Sequence, residues 1–66
     1  MQVFINGQSQ ELAETLNVCS LLQQLEMTTP HVAVEVNEKL VPRKDHPSCL
    51  LQEGDRIEIV TLVGGG

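Results

Sequence analysis

Apolar and polar residues alternate at the start of the chain: in MQVFIN, Met1, Val3 and Ile5 fall on one side and Gln2, Phe4 and Asn6 on the other. Such alternation is the pattern of a half-buried strand. Asn6-Gly7 follows at once and is the dipeptide that a two-residue type I′ hairpin favours, because both central residues need positive φ. A return strand is predicted from Gln8 to Ala13, polar enough to lie at a sheet edge. The period then lengthens. Val18, Leu21, Leu22 and Leu25 recur at the spacing of one helix face, and Asn17 stands at the N-cap position. Thr28-Thr29-Pro30 is predicted to end this helix, since proline cannot donate a backbone hydrogen bond and restricts its predecessor. Alternation returns in VAVEV, with Val32, Val34 and Val36 on one face, and Asn37-Glu38 turns the chain into KLVPR. A polar stretch, KDHPS, and the pair Leu50-Leu51 lead through the turn Glu53-Gly54-Asp55 to RIEIVTLV. That β-branched run predicts a long last strand.

The predicted order is strand, strand, helix, strand, strand, strand. One helix covering one face of a mixed sheet of about five strands is an α+β architecture. At 66 residues the chain makes one domain, residues 1–66, near the size at which a single core barely suffices. Phe4 is the one aromatic residue, so that core is built of Val, Leu and Ile.

The last strand divides into two faces. Ile57, Ile59, Thr61 and Val63 form the predicted core side; Arg56, Glu58, Val60 and Leu62 form the other, charged at first and apolar toward the end. Phe4 is out of phase with Val3 and Ile5, so it joins Val60 and Leu62 outside the core if the first and last strands are neighbours. Exposed apolar residues grouped beside a tail make Phe4, Val60 and Leu62 candidates for docking a partner protein.

Four basic against nine acidic residues give a formal charge of −5. That balance repels phosphate backbones, so nucleic acid is not an expected partner. The start lacks a basic leader, and no apolar run reaches the ~20 residues of a membrane span, so the expectation is a cytoplasmic protein with no membrane partner. Cys19 and Cys49 lack CxxC spacing and are read as small buried hydrophobes. His31 and His46 have no spacing that points to a metal site, and His46 is read as a solvated loop residue. No P-loop or nucleophile-elbow motif is present, and the residues offer no catalytic constellation.

The sequence closes on TLVGGG. Glycine runs are common as terminal spacers, and residues 63–66 are expected to form a flexible tail. A second reading is geometric: Gly64, Gly65 and Gly66 carry a carboxylate about 10 Å outward through a slot too narrow for any side chain. A terminal carboxyl has a pKa of about 3.3 to 3.7, so near neutral pH it is an anion and a poor electrophile. Conversion to an acyl phosphate or adenylate would supply a leaving group for a sulfur or nitrogen nucleophile.

MQVFING, the amphipathic helix ending near LLQQLE, VAVEVNEKLVPR, LQEGDRIEIV and the terminal Gly-Gly together resemble the ThiS-type sulfur carriers of thiamin biosynthesis. The similarity spans nearly the whole chain. It implies the ubiquitin-like β-grasp fold and a protein substrate instead of an enzyme. In that family the terminal glycine is adenylated by an E1-like enzyme that uses ATP, and no cofactor is bound by the carrier. The adenylate becomes a thiocarboxylate with sulfur drawn from cysteine, through a sulfur donor such as a cysteine desulfurase, and is presented to thiazole synthase. Carried over, the acyl carbon is that of Gly66, with Gly65 the other residue of the Gly-Gly and Gly64 an additional glycine that enters the partner site with it. A molybdopterin-synthase small subunit and a ubiquitin-like modifier share the terminal Gly-Gly and are the alternative readings.

Overall fold

The computed structural model describes residues 1–27 and 31–61. Five strands form one sheet: β1 (Gln2–Ile5), β2 (Gln8–Glu11), β3 (Val32–Val36), β4 (Lys39–Val41) and β5 (Arg56–Thr61). Their spatial order is β2-β1-β5-β3-β4. The central pair, β1 and β5, runs parallel, and every other pair is antiparallel. One α-helix, α1 (Val18–Gln24), and a 3-10 helix (Arg43–Ser48) complete the described elements. The mixed sheet with one main helix is the α+β arrangement that the pattern predicts. Thr28-Thr29-Pro30, Leu62, Val63 and the three terminal glycines lie outside the described residues, and so does the predicted flexible tail.

Both hairpins are closed by two residues in the left-handed region. Asn6 (φ 50°) and Gly7 (φ 84°) join β1 to β2, and Asn37 (φ 53°) and Glu38 (φ 69°) join β3 to β4. These are the angles of a type I′ turn, whose twist matches that of the strands. β2 stops at Glu11, short of the predicted Ala13. Leu12 leaves the strand and turns inward, where it is buried.

Asn17 caps α1 as its type predicts, its side-chain oxygen accepting from the Ser20 amide at 2.7 Å. The predicted stop is corrected. α1 ends at Gln24, and the device is a Schellman motif: Glu26 N–H donates to Gln23 C=O at 3.1 Å and Met27 N–H to Leu22 C=O at 2.8 Å. Glu26 takes the left-handed position (φ 59°) that glycine usually fills. The backbone has therefore turned before proline is reached.

The core is Val3, Leu12, Val18, Leu21, Leu22, Val34, Leu51, Ile57 and Ile59, all aliphatic. It lies between α1 and one face of the sheet. Leu50 and Leu51 separate sharply: Leu51 is fully buried while Leu50 is exposed. The cause is an antiparallel bridge, Asn17 to Leu50, with Val18 N–H donating to Cys49 C=O and Leu51 N–H to Leu16 C=O. Alternation across that bridge sends one leucine in and the other out.

Candidate functional site

β5 delivers the chain toward the terminal glycines, and it does so from the middle of the sheet. Its core face holds Ile57 and Ile59, but Thr61, predicted for the core, is exposed. Its start is held by an asparagine. Asn37 accepts from the Arg56 amide through its side-chain oxygen at 3.0 Å and donates from its side-chain nitrogen to Asp55 at 3.0 Å. Farther along, a second asparagine does the same work. The parallel ladder runs from Gly54 N–H onto Gln2 C=O, Phe4 N–H onto Asp55 C=O and Asn6 N–H onto Ile57 C=O. Beyond it the backbone of β1 has turned away, and the Asn6 side chain continues the ladder. Its oxygen accepts from Ile59 N–H at 2.8 Å and its amide donates to Ile59 C=O at 3.2 Å. A carboxamide reproduces one peptide group, so β5 stays registered up to Ile59 after its backbone partner has ended.

Opposite the helix the sheet has an open face. Cross-strand partners share a face, so Phe4 stands beside Arg56, Glu58 beside Glu35, Val60 beside Ala33, and Leu40 beside Glu35 on its other side. Phe4 and Val60 are both on this face and exposed, at 37% and 53%. They are not adjacent. Four residues of strand separate the level of Phe4 from Val60, about 13 Å. Val60 pairs with Ala33 instead, and Leu40, one strand farther out on the same face, lines the same depression and is the most exposed large apolar side chain described, at 67%. Sequence reading missed Leu40 because the predicted short strand KLVPR had no assigned facing; the pairing of Leu40 with Glu35 is the signal that places it.

Two expectations about side chains change. His46, read as solvated, is buried in the 3-10 helix, with its Nε2 donating to the Val41 carbonyl at 3.1 Å. The KDHPS stretch coils into a 3-10 turn against α1, which carries the ring inward. Cys19 and Cys49 are free and half-buried, less enclosed than small core residues. Burial first, then the nearby carboxylates of Asp55 and Asp45, push the Cys49 thiol pKa up. Its thiolate is correspondingly scarce near neutral pH. Among the described residues no cluster of His, Cys, Asp or Glu could hold a metal ion, and no helix is long and apolar enough to cross a membrane.

The comparisons with known proteins converge. The ThiS family model matches residues 3–66. The sulfur carrier protein ThiS of Escherichia coli (strain K12) is 32% identical over 66 residues, covering all of both chains. A crystal structure of the thiamine biosynthesis protein ThiS from Geobacter metallireducens superimposes with a TM-score of 0.86 at 32% identity, again covering all of both chains. A thiazole synthase of Paramagnetospirillum magneticum is 35% identical over 66 residues, and there the chain spans only 20% of the relative's length. With a family model spanning nearly every residue and a full-length relative agreeing in fold, the chain belongs to the ThiS family.

Proposed function

We propose that this chain is a sulfur carrier in thiamine biosynthesis, acting as a protein substrate whose working atom is the carboxyl carbon of Gly66. The observation that carries the reading is the match of residues 3–66 to the ThiS family, which includes the terminal glycines. An E1-like enzyme first joins the Gly66 carboxylate to the α-phosphorus of ATP, and pyrophosphate leaves. Sulfide then attacks the acyl carbon; in the cell the sulfur is drawn from cysteine through a donor such as a cysteine desulfurase, whose persulfide sulfur a thiol reductant must bring to the oxidation level of sulfide. AMP leaves, and the product is a thiocarboxylate. ATP is thus the activating enzyme's substrate and not a ligand of the carrier.

The fold supplies presentation. β5 is central and pinned on both sides as far as Ile59, so the strand leading to the tail has a fixed origin. Gly64 and Gly65 add no side chain that a narrow partner site would have to admit. Phe4, Val60 and Leu62 serve in docking the activating enzyme and thiazole synthase. In the Paramagnetospirillum magneticum thiazole synthase, a segment similar to this whole chain is continuous with the rest of the protein. That linkage supports thiazole synthase as the recipient of the sulfur.

The test uses the activating enzyme, ATP and labelled pyrophosphate, which reads adenylate formation without any sulfur donor. Pyrophosphate exchange into ATP should depend on the carrier and vanish when Gly66 is deleted. Exchange undiminished by the deletion would refute the assignment.

A further inference from the structure

Of the three asparagines in the chain, Asn6 is the one followed by glycine. That dipeptide is the asparagine context most open to cyclisation, because no side chain on the next residue shields its nitrogen. The turn alone does not call for the amide, since Asp-Gly suits a type I′ hairpin as well as Asn-Gly does. What the carboxamide adds is a donor. Its nitrogen donates to the Ile59 carbonyl at 3.2 Å while its oxygen accepts from the Ile59 amide at 2.8 Å. An aspartate could keep the second bond but would set a carboxylate oxygen against the carbonyl. Asn6 and Gly7 are both exposed, and nothing lies within 4 Å of a Cβ placed on Gly7, so water reaches the turn. The chain therefore holds a labile amide at the one place where β5 needs it.

We propose that Asn6 is a site of spontaneous deamidation, that its clamp on Ile59 holds the reaction back, and that the product is a poorer carrier. The loss of carrier function rests on the carrier reading above. The Gly7 nitrogen attacks the Asn6 carboxamide carbon; a carbon–nitrogen bond forms there and the bond to the side-chain nitrogen breaks. The leaving nitrogen takes the proton that Gly7 gives up and departs as ammonia. Water then opens the five-membered imide, and nothing is oxidised or reduced. Breaking the bond to the side-chain carbonyl gives aspartate, and breaking the bond to the main-chain carbonyl gives isoaspartate, in which the chain runs through the side-chain carbon. Neither product does what Asn6 does. Aspartate has lost the donor to Ile59, and isoaspartate puts one more backbone carbon into a two-residue turn built on φ values of 50° and 84°. Ring closure needs the carboxamide carbon on the Gly7 nitrogen, and the two bonds to Ile59 hold it on β5 instead. The rate therefore follows local opening of the clamp. The lesion falls on the strand that leads to the tail, seven residues before Gly66 at Ile59.

The experiment ages the parent chain at pH 8 in buffer and in urea. Peptide mass reads the change from amide to acid, and an isoaspartyl methyltransferase scores isoaspartate. Conversion should concentrate at residue 6 and run at least about tenfold slower in the folded chain than in the unfolded one. In urea too dilute to unfold the protein, the rate should rise together with exchange of the Ile59 amide. Gly7→Ala should slow conversion in strong urea, where the fold plays no part. Equal rates in folded and unfolded chains, or earlier conversion at Asn17 or Asn37, would overturn the proposed site. Pyrophosphate exchange with the activating enzyme reads the consequence: Asn6→Asp and the isoaspartate fraction of the aged chain should each show kcat/KM lowered about tenfold while circular dichroism shows them folded. Parent kinetics in both would overturn the loss of carrier function. A parent chain that is never adenylated overturns the carrier reading instead, and the ageing rates still decide the modification.

Discussion

Replacing Asn6 with glycine separates the turn from the clamp. Asn6 has φ 50°, a conformation glycine adopts without steric cost, so the hairpin keeps its geometry. What disappears is the carboxamide that bonds both the amide and the carbonyl of Ile59, at 2.8 and 3.2 Å. Two such bonds contribute about 1 to 3 kcal/mol, and the greater freedom of glycine in the unfolded chain adds up to about 1 kcal/mol. A loss of about 2 to 3 kcal/mol is therefore expected, from a total stability of about 3 to 10 kcal/mol for a chain this size. The melting temperature should fall by roughly 10 to 20 °C. Asn6→Ala should lose about 1 kcal/mol more, because a Cβ is disfavoured at positive φ. Urea melts give the stability, and amide hydrogen exchange gives the location: Ile59 N–H should lose protection more than the buried positions of α1. An Asn6→Gly chain with an unchanged urea midpoint and a protected Ile59 amide would refute the clamp.

Glu26→Gly should stabilise the chain by about 1 kcal/mol, because Glu26 fills the left-handed position of a Schellman motif; a lowered urea midpoint would contradict that assignment. Leu51→Ala should cost about 2 to 5 kcal/mol through a cavity at a fully buried site, whereas Leu50→Ala should be nearly neutral, and paired melts test the contrast. The folded Cys49 pKa is raised, so the folded chain holds its thiol proton to higher pH than the unfolded chain does. The associated stability is complete below the ordinary thiol pKa of about 8.5 and is lost as pH rises through the folded value. Iodoacetamide should modify Cys49 more slowly in the folded than in the unfolded protein at pH 8, and equal rates would remove the shift.

Wherever a local rule and the tertiary arrangement agreed, the fold was legible in the sequence. Asn6-Gly7 specified its turn, Asn17 its cap, and the spacing of Val18, Leu21 and Leu22 the buried helix face. The departures arose where long-range contacts decided. Pro30 is a strong breaker, but Glu26 had already reversed the chain, in a conformation its residue type does not advertise. Leu12 and His46 are buried by the path of connecting segments, which carry no period to read. The docking candidates show the same division. Strand parity set the face of Phe4 and Val60, but only the register of β1 against β5 revealed the strand length between them. Only the pairing of β3 with β4 and β5 brought Leu40, Glu35 and Glu58 to the same place. Leu62 and the terminal glycines lie outside the described residues, so their roles rest on the sequence and on membership of the family.

The most direct test of the account is to locate the sulfur. A chain carrying Cys19→Ser and Cys49→Ser is incubated with the activating enzyme, ATP and sulfide, then alkylated and fragmented in a mass spectrometer. Removing both thiols and alkylating the product matters because the exchange of oxygen for sulfur has nearly the same mass gain as one oxidation, as at Met1 or Met27. The account predicts an alkylated thiocarboxylate on Gly66 that requires ATP and is absent when Gly66 is deleted. A label on any other residue, or full labelling of the deletion variant, would contradict it.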